Sequence, residues 1–392
     1  MKLKILYDHQ TFLEQVYGGI SRYYYELITK ISQRNNFYVE HSILYSNNEY
    51  LRNDETFNIE AFYSINNFLN EKYFFGKNRL FNLFKKFKLV RDHSLEMEKF
   101  VKDRLLSGEI DIFHPTYYNP YYLEWAIKSN TPIVITVYDL IHEKFSDYFP
   151  NVNRFLERKK ICIESANKVI AISENTKRDL VDYYKLPESK IEVIHLASSL
   201  NQIKNEKILR EDFSDSILFV GNRSIYKNFQ LFIKSIIPLF KEFPNLNIIV
   251  AGGGNISSSE TKLLKESQIE DKIFFKSFHN DSELISLYRS CRLFVFPSIY
   301  EGFGIPIIES MQNGCPVVCS NTSSFLEVAG DAAFYFNPME AESIFESVRE
   351  VYKNYNLRQE LIKKGFSRSQ KFTWLSTIDQ TLKCYKDLIN SI

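Results

Sequence analysis

A chain of 392 residues, 44% of them hydrophobic, is longer than one core usually serves, so two domains of similar size are expected. Its 49 Lys and Arg against 48 Asp and Glu exclude a chain that binds nucleic acid through bulk charge, and any basic surface must be local. The five cysteines, Cys162, Cys291, Cys315, Cys319 and Cys384, show neither zinc-ligand spacing nor an even disulfide framework and read as reduced thiols of a cytosolic protein.

The chain enters a short apolar strand at MKLKILYDHQ without a signal-type hydrophobic region, and no run of about 18 apolar residues occurs, so neither secretion nor membrane spanning is expected. Strands are expected at KLKILY (2–7), YVEHSILYS (38–46), IDIFHP (110–115), PIVITVYD (132–139) and KVIAIS (168–173). Helical patterns lie between them at Gly19–Ser32, Asp92–Leu106 and Asn153–Ala166. A polar stretch, Leu196–Ser216, precedes a second series: ILFVG (217–221), NIIVAGG (247–253), KIFFKS (272–277), LFVFPS (293–298) and PVVCS (316–320). The final segment, FTWLSTIDQTLKCYKDLI, is an amphipathic helix. Strand and helix in alternation make βαβ units, so the fold class is α/β, with two Rossmann-like doubly wound domains facing a central cleft. The divisions are 1–199, 200–370 and a helix at 371–392 that packs back on the first domain.

Strand ends mark the candidate site residues, because open α/β sheets bind ligands outside the carboxyl ends of their strands. Gly18 and Gly19 precede a helix whose amino terminus can take an anion or sugar, although paired glycines more often mark a turn. His114, and the set Tyr138, Asp139 and His142, end two strands of the first domain. A structural histidine, a helix-capping Asp139 and a surface His142 stand as the alternatives. In the second domain, Arg223 and Lys227 follow ILFVG and can neutralise a diphosphate, or can be a solvated basic loop. The AGGGN run at 251–255 lacks the order of a dinucleotide fingerprint and reads as a loop. Residues 72–91, KYFFGKNRLFNLFKKFKLVR, interleave phenylalanines with cations, the pattern of an interfacial helix drawn to anionic lipid or of a packed helix with a basic face.

The most specific stretch is PSIYEGFGIPIIESMQNGCPVV. Gly302 and Gly304 allow a tight turn, Pro306 suits a first helical turn, and the N–H groups from Phe303 to Ile307 then offer a phosphate seat. Glu301 sits at the edge of that seat, and Glu309, one turn inside the helix, can accept from a diol.

Residues 293–338 resemble the retaining GT-B glycosyltransferases of family 4, which carry a Glu-x7-Glu motif here. The resemblance implies that Glu301 contacts the transferred sugar, that Glu309 binds the nucleotide ribose, and that backbone amides of Gly302, Phe303, Gly304 and Ile305 contact donor sugar and phosphate. It assigns Arg223 and Lys227 to the leaving diphosphate, with a shortened gap between them, and sets Gly18 and Gly19 across the cleft. Tyr138 stands where many members have a histidine on the donor sugar, Asp139 matches the acidic residue beside it, and His114 and His142 are acceptor-side candidates. The segment with Phe278 frames the base, but Phe278-His279-Asn280 replaces the usual Phe-x-Gly. The implied activity moves a hexose from GDP-mannose or a UDP-hexose to a glycan hydroxyl, on a lipid-linked O-antigen or capsule acceptor at the cytoplasmic face of the inner membrane. No metal, cofactor or nucleic acid is implied. A nucleotide-sugar 2-epimerase of the same fold and a non-catalytic sugar-nucleotide-binding protein are the alternatives.

Overall fold

The computed structural model describes residues 2–62, 76–86, 93–200, 213–278 and 280–391. In the first half, β1 (Leu3–Tyr7), β2 (Phe37–His41) and β3 (Ile112–His114) pair in the order β2-β1-β3. They are followed by β4 (Val134–Val137), β5 (Lys168–Ala171) and β6 (Ile191–Val193), paired as β4-β5-β6. A parallel bridge between Phe113 and Ile133 joins the two sets edge to edge. The second half holds β7 (Ser216–Val220), β8 (Asn247–Ala251), β9 (Ile273–Lys276), β10 (Leu293–Phe296), β11 (Val317–Ser320) and β12 (Ala333–Phe336). Their order is β12-β11-β10-β7-β8-β9, and each neighbouring pair is parallel. Two doubly wound α/β units of the GT-B kind are therefore present. β7, β10 and β11 are buried throughout, as expected for a parallel sheet covered on both faces, and this is why they read as unbroken apolar runs.

β6 and β12 were not expected. Each is short, lies at an edge and is partly exposed; Glu192 interrupts β6, whereas β12, AFYF, is apolar throughout and was not expected despite that. The described part of the basic aromatic stretch forms a helix, Lys77–Lys86. Phe74, Phe75, Phe87, Lys72, Lys88 and Arg91 of that stretch lie outside the described residues, as do His279 and residues 201–212 of the polar stretch between the halves.

The last helix, Trp374–Asn390, lies on the first half. Trp374 Nε1 donates to Ser199 Oγ at 2.9 Å, Thr377 Oγ1 to the His195 carbonyl at 2.8 Å, and the Tyr385 and Tyr7 hydroxyls meet at 2.8 Å. One continuous apolar cluster runs through the first sheet, this helix and the inner face of the second sheet; the outer face of the second sheet has its own.

The halves meet at Gly302. Its carbonyl accepts from Ser173 Oγ at 2.6 Å and Thr176 Oγ1 at 3.3 Å, both in the first half. A Cβ at this position would overlap the Tyr138 carbonyl oxygen outright and stand 3.1 Å from Asp139 Cβ. Beside it, Tyr300 Oη accepts from the Leu140 N–H at 3.2 Å and donates to Asp179 Oδ2 at 2.6 Å. Further along, the Glu327 carboxylate of the second half caps the helix Glu174–Tyr184, accepting from Glu174 N at 2.8 Å and Asn175 N at 3.3 Å. His195 Nε2 holds the same carboxylate at 2.6 Å.

Because the clash at Gly302 is with backbone, no rotamer relieves it. Gly302→Ala should cost about 1–3 kcal/mol or more, by analogy with overpacked cores. Urea denaturation followed by circular dichroism measures this, and an unchanged midpoint would refute the tight docking.

Candidate active site

In the second sheet the winding reverses between β7 and β10, and such a switch point opens a crevice at the strands' carboxyl ends. The loops after β7 and β10 flank that crevice, tied by a hydrogen bond from Ile299 N to the Tyr226 carbonyl at 2.7 Å. Lys227 ends the short turn Ile225–Lys227, and its Nζ meets Glu301 Oε1 at 2.5 Å, both side chains being largely buried. Glu301 is fixed from behind: its N–H donates to Ser323 Oγ at 3.1 Å, and its carbonyl accepts from Ser323 and Ser324.

The helix Ile305–Gln312 begins immediately after this loop. Gly304 adopts a left-handed φ of 102°, which a side chain would strain, and Pro306 occupies the first turn. No side chain caps this helix; Pro306 has no N–H and the Ile307 N–H donates to the Gly304 carbonyl at 2.9 Å, so the first-turn N–H left to the crevice is that of Ile305. Glu309, one turn in, is 9% exposed and accepts from Tyr288 Oη at 3.1 Å. Burial pushes its carboxyl up to about 7, against the pull of the Arg22 guanidinium and the Tyr288 hydroxyl.

A cavity between the halves is lined by Gly18, Gly19, Phe278, Ile305 and Glu309. Gly18 precedes the helix Gly19–Ser32, whose first turn is capped from outside: the Ser21 N–H donates to Gln15 Oε1 at 3.0 Å. The structure adds residues that the sequence did not single out. Arg22 Nη2 reaches both oxygens of Asp281, at 2.7 and 2.6 Å, and Tyr17 Oη donates to the same carboxylate at 2.6 Å. Arg22 also lies 4.7 Å from the Tyr50 ring centroid, and all four residues line the cavity. Nothing in the local sequence marks Arg22 and Asp281, which are 259 positions apart.

Three residues named from sequence are placed elsewhere. His114 is wholly buried in the core, its Nδ1 2.6 Å from Tyr385 Oη and its Nε2 3.0 Å from Thr136 Oγ1, and burial pushes it down to about 3. The last helix covers this strand end, so His114 does not face an acceptor. The Tyr138 ring turns into the core, edge-on to Tyr23 with centroids 6.0 Å apart, and only the Tyr138 carbonyl reaches the junction with Gly302. Arg223 is bound up: Nε is 2.6 Å from Glu260 Oε1, Nη1 is 3.1 Å from the Gly252 carbonyl, and Nη2 is 3.2 and 2.8 Å from the carbonyls of Gly254 and Asn255. The positive φ of Gly252, Gly253 and Gly254 shapes this loop around Arg223, so the guanidinium braces a loop instead of facing a diphosphate.

Asp139 follows β4 beside Gly302, and its Oδ1 accepts from Ile141 N at 3.0 Å, starting the turn Ile141–Lys144. His142 is half-buried between Phe149 and Phe155, with ring centroids at 4.4 and 4.5 Å. The Phe303 ring is buried at the junction with Phe372 and His195.

The raised Glu309 carboxyl gives a directional test. The folded state holds this proton more tightly than the unfolded chain, so the contribution of Glu309 to stability is full below about 4.5 and is lost as pH rises through about 7. Glu309→Gln should therefore gain thermal stability relative to wild type between pH 4.5 and 8 and gain none at pH 4. Scanning calorimetry across that range checks it, and a pH-independent difference would contradict the burial.

Two family models match, and together they span most of the chain: "Glycosyltransferase Family 4" over residues 17–197 and "Glycosyl transferases group 1" over 201–368. The O-antigen chain mannosyltransferase B of Escherichia coli is 26% identical over 288 residues, 70% of this chain and 74% of that protein. The serotype-specific mannosyltransferase WbdA of Escherichia coli is 25% identical over 62% of this chain, a match that spans 31% of WbdA. Among solved structures, Anabaena HepE in complex with UDP and glucose superposes with a TM-score of 0.70 at 15% identity, covering 98% of this chain and 99% of that one. The chain belongs to glycosyltransferase family 4.

Proposed function

We propose that this protein transfers a hexose, retaining its anomeric configuration, from a nucleoside-diphosphate sugar to a hydroxyl of a growing glycan. The observation that carries the reading is the Lys227–Glu301 pair at the switch point, set beside the uncapped start of the helix Ile305–Gln312. Breaking a glycosyl–phosphate bond leaves negative charge on the departing diphosphate. An ammonium and a helix start fixed beforehand are the groups that stabilise such charge, and they need no reorganisation when it develops. Glu301, with its backbone pinned by two serines, is suited to bind sugar hydroxyls, and Glu309 to bind the ribose. These assignments need no metal.

Mannose is our proposed sugar, because the relatives are named mannosyltransferases, and GDP-mannose is the leading donor ahead of UDP-hexoses. A UDP complex of a structural neighbour supports a nucleoside diphosphate in the cavity. We place the acceptor on a lipid-linked surface glycan and the protein at the cytoplasmic face of the inner membrane. The basic helix Lys77–Lys86, with exposed Arg79 and Leu83, supports that placement. Among the described residues no helix is long and apolar enough to cross a membrane.

Calorimetry with GDP, UDP and dTDP tests the reading. One of them should bind, and Lys227→Ala should weaken that binding about 10- to 100-fold, the worth of a charge-assisted hydrogen bond. Equal binding by the variant would misplace the diphosphate. Sugar released from the donor only when an acceptor glycan is added separates transfer from epimerisation.

A further inference from the structure

Lys159, on the helix Val152–Ser165, has a side chain only 1% exposed, and its partner Glu143 is wholly buried. The ammonium lies 2.8 and 3.1 Å from the two Glu143 oxygens and 5.3 Å from the Tyr118 ring centroid. Tyr184 Oη donates to Glu143 Oε1 at 2.6 Å, completing the carboxylate's shell. The remaining Lys159 bond goes to the main-chain carbonyl of Asp139, at 2.7 Å.

Stability alone is a poor reason for such a pair. Taking two charges out of water costs several kcal/mol each in real proteins, and well-packed apolar replacements are often neutral or stabilising. What apolar residues cannot supply is a donor aimed at the Asp139 carbonyl. That carbonyl belongs to the turn on which Gly302 docks, one residue from Glu301. With Oδ1 held by Ile141 N and the carbonyl held by Lys159, both polar ends of Asp139 are pinned from within the first half.

We propose that Lys159 is a positioning residue for transfer: it fixes the Tyr138–Asp139 turn, and through Gly302 the placement of the acceptor side against Glu301 and Lys227. This rests on the transfer reading above. Glu143 holds the ammonium in register, and Tyr184 holds Glu143. None of the three touches the sugar.

The test removes the pair as a unit, because a single replacement would leave a buried charge unpaired. The Glu143→Leu/Lys159→Met double variant is compared with wild type in three measurements. These are thermal unfolding, calorimetric binding of GDP and UDP, and release of nucleoside diphosphate from GDP-mannose and UDP-glucose with octyl α-mannoside as acceptor. The expected result is a melting temperature and nucleotide affinity close to wild type, an unchanged donor KM, and a kcat about 100-fold lower, the scale of a misplacement near 1 Å. A kcat within about threefold of wild type overturns the proposal. So does a loss of nucleotide binding in step with kcat, which would make the pair merely structural. A wild type that binds nucleotide but turns over neither donor overturns the transfer reading, and the proposal with it.

Discussion

The absence of a side chain at residue 302 is the constraint on which the rest of this structure depends. Two α/β units bring their strand ends face to face, and at the centre a glycine backbone lies directly on the Tyr138–Asp139 turn. The contact is polar as well as steric: Ser173 and Thr176 satisfy the Gly302 carbonyl, so the junction leaves no orphaned acceptor at this point. Everything charged in the crevice is then measured from a rigid origin. Glu301 precedes that glycine, the uncapped helix start follows it, and Lys227 reaches in from the neighbouring strand's loop.

The electrostatics divide into two kinds. Glu309 lines the cavity and Lys227 pairs with Glu301 in the loops that flank the switch point, whereas Arg223, Lys159 and Glu143 are engaged by other groups of the protein. A cation in a strand-end loop is thus not enough to make an anion site. What distinguishes Lys227 from Arg223 is the partner: one carboxylate beside the switch point, as against a carboxylate and three main-chain carbonyls that hold four of the guanidinium's five N–H groups.

This explains how far the sequence could be read. The fold was legible because buried parallel strands are continuous apolar runs, while β6 escaped because Glu192 breaks its three residues; β12, an apolar AFYF at the far edge, carried the signal without being assigned. Glu301 to Glu309 stood out through glycine and proline punctuation, which reports local backbone geometry. Arg22 and Asp281 did not, because each is an ordinary charge in a helical pattern and only the tertiary fold joins them. His114 misled for a similar reason. A strand end implies an open crevice, yet the last helix brings Tyr385 over it from the far end of the chain. For Arg223, sequence could show the three glycines but not that their loop wraps a guanidinium.

That returning helix also bears on how the two halves can move. The polypeptide passes from the first half to the second once between β6 and β7, and goes back once more through Gln370–Thr373 before Trp374–Asn390. Any displacement of one half against the other therefore carries Trp374, which lines the cavity and donates to Ser199 Oγ, along with the first half.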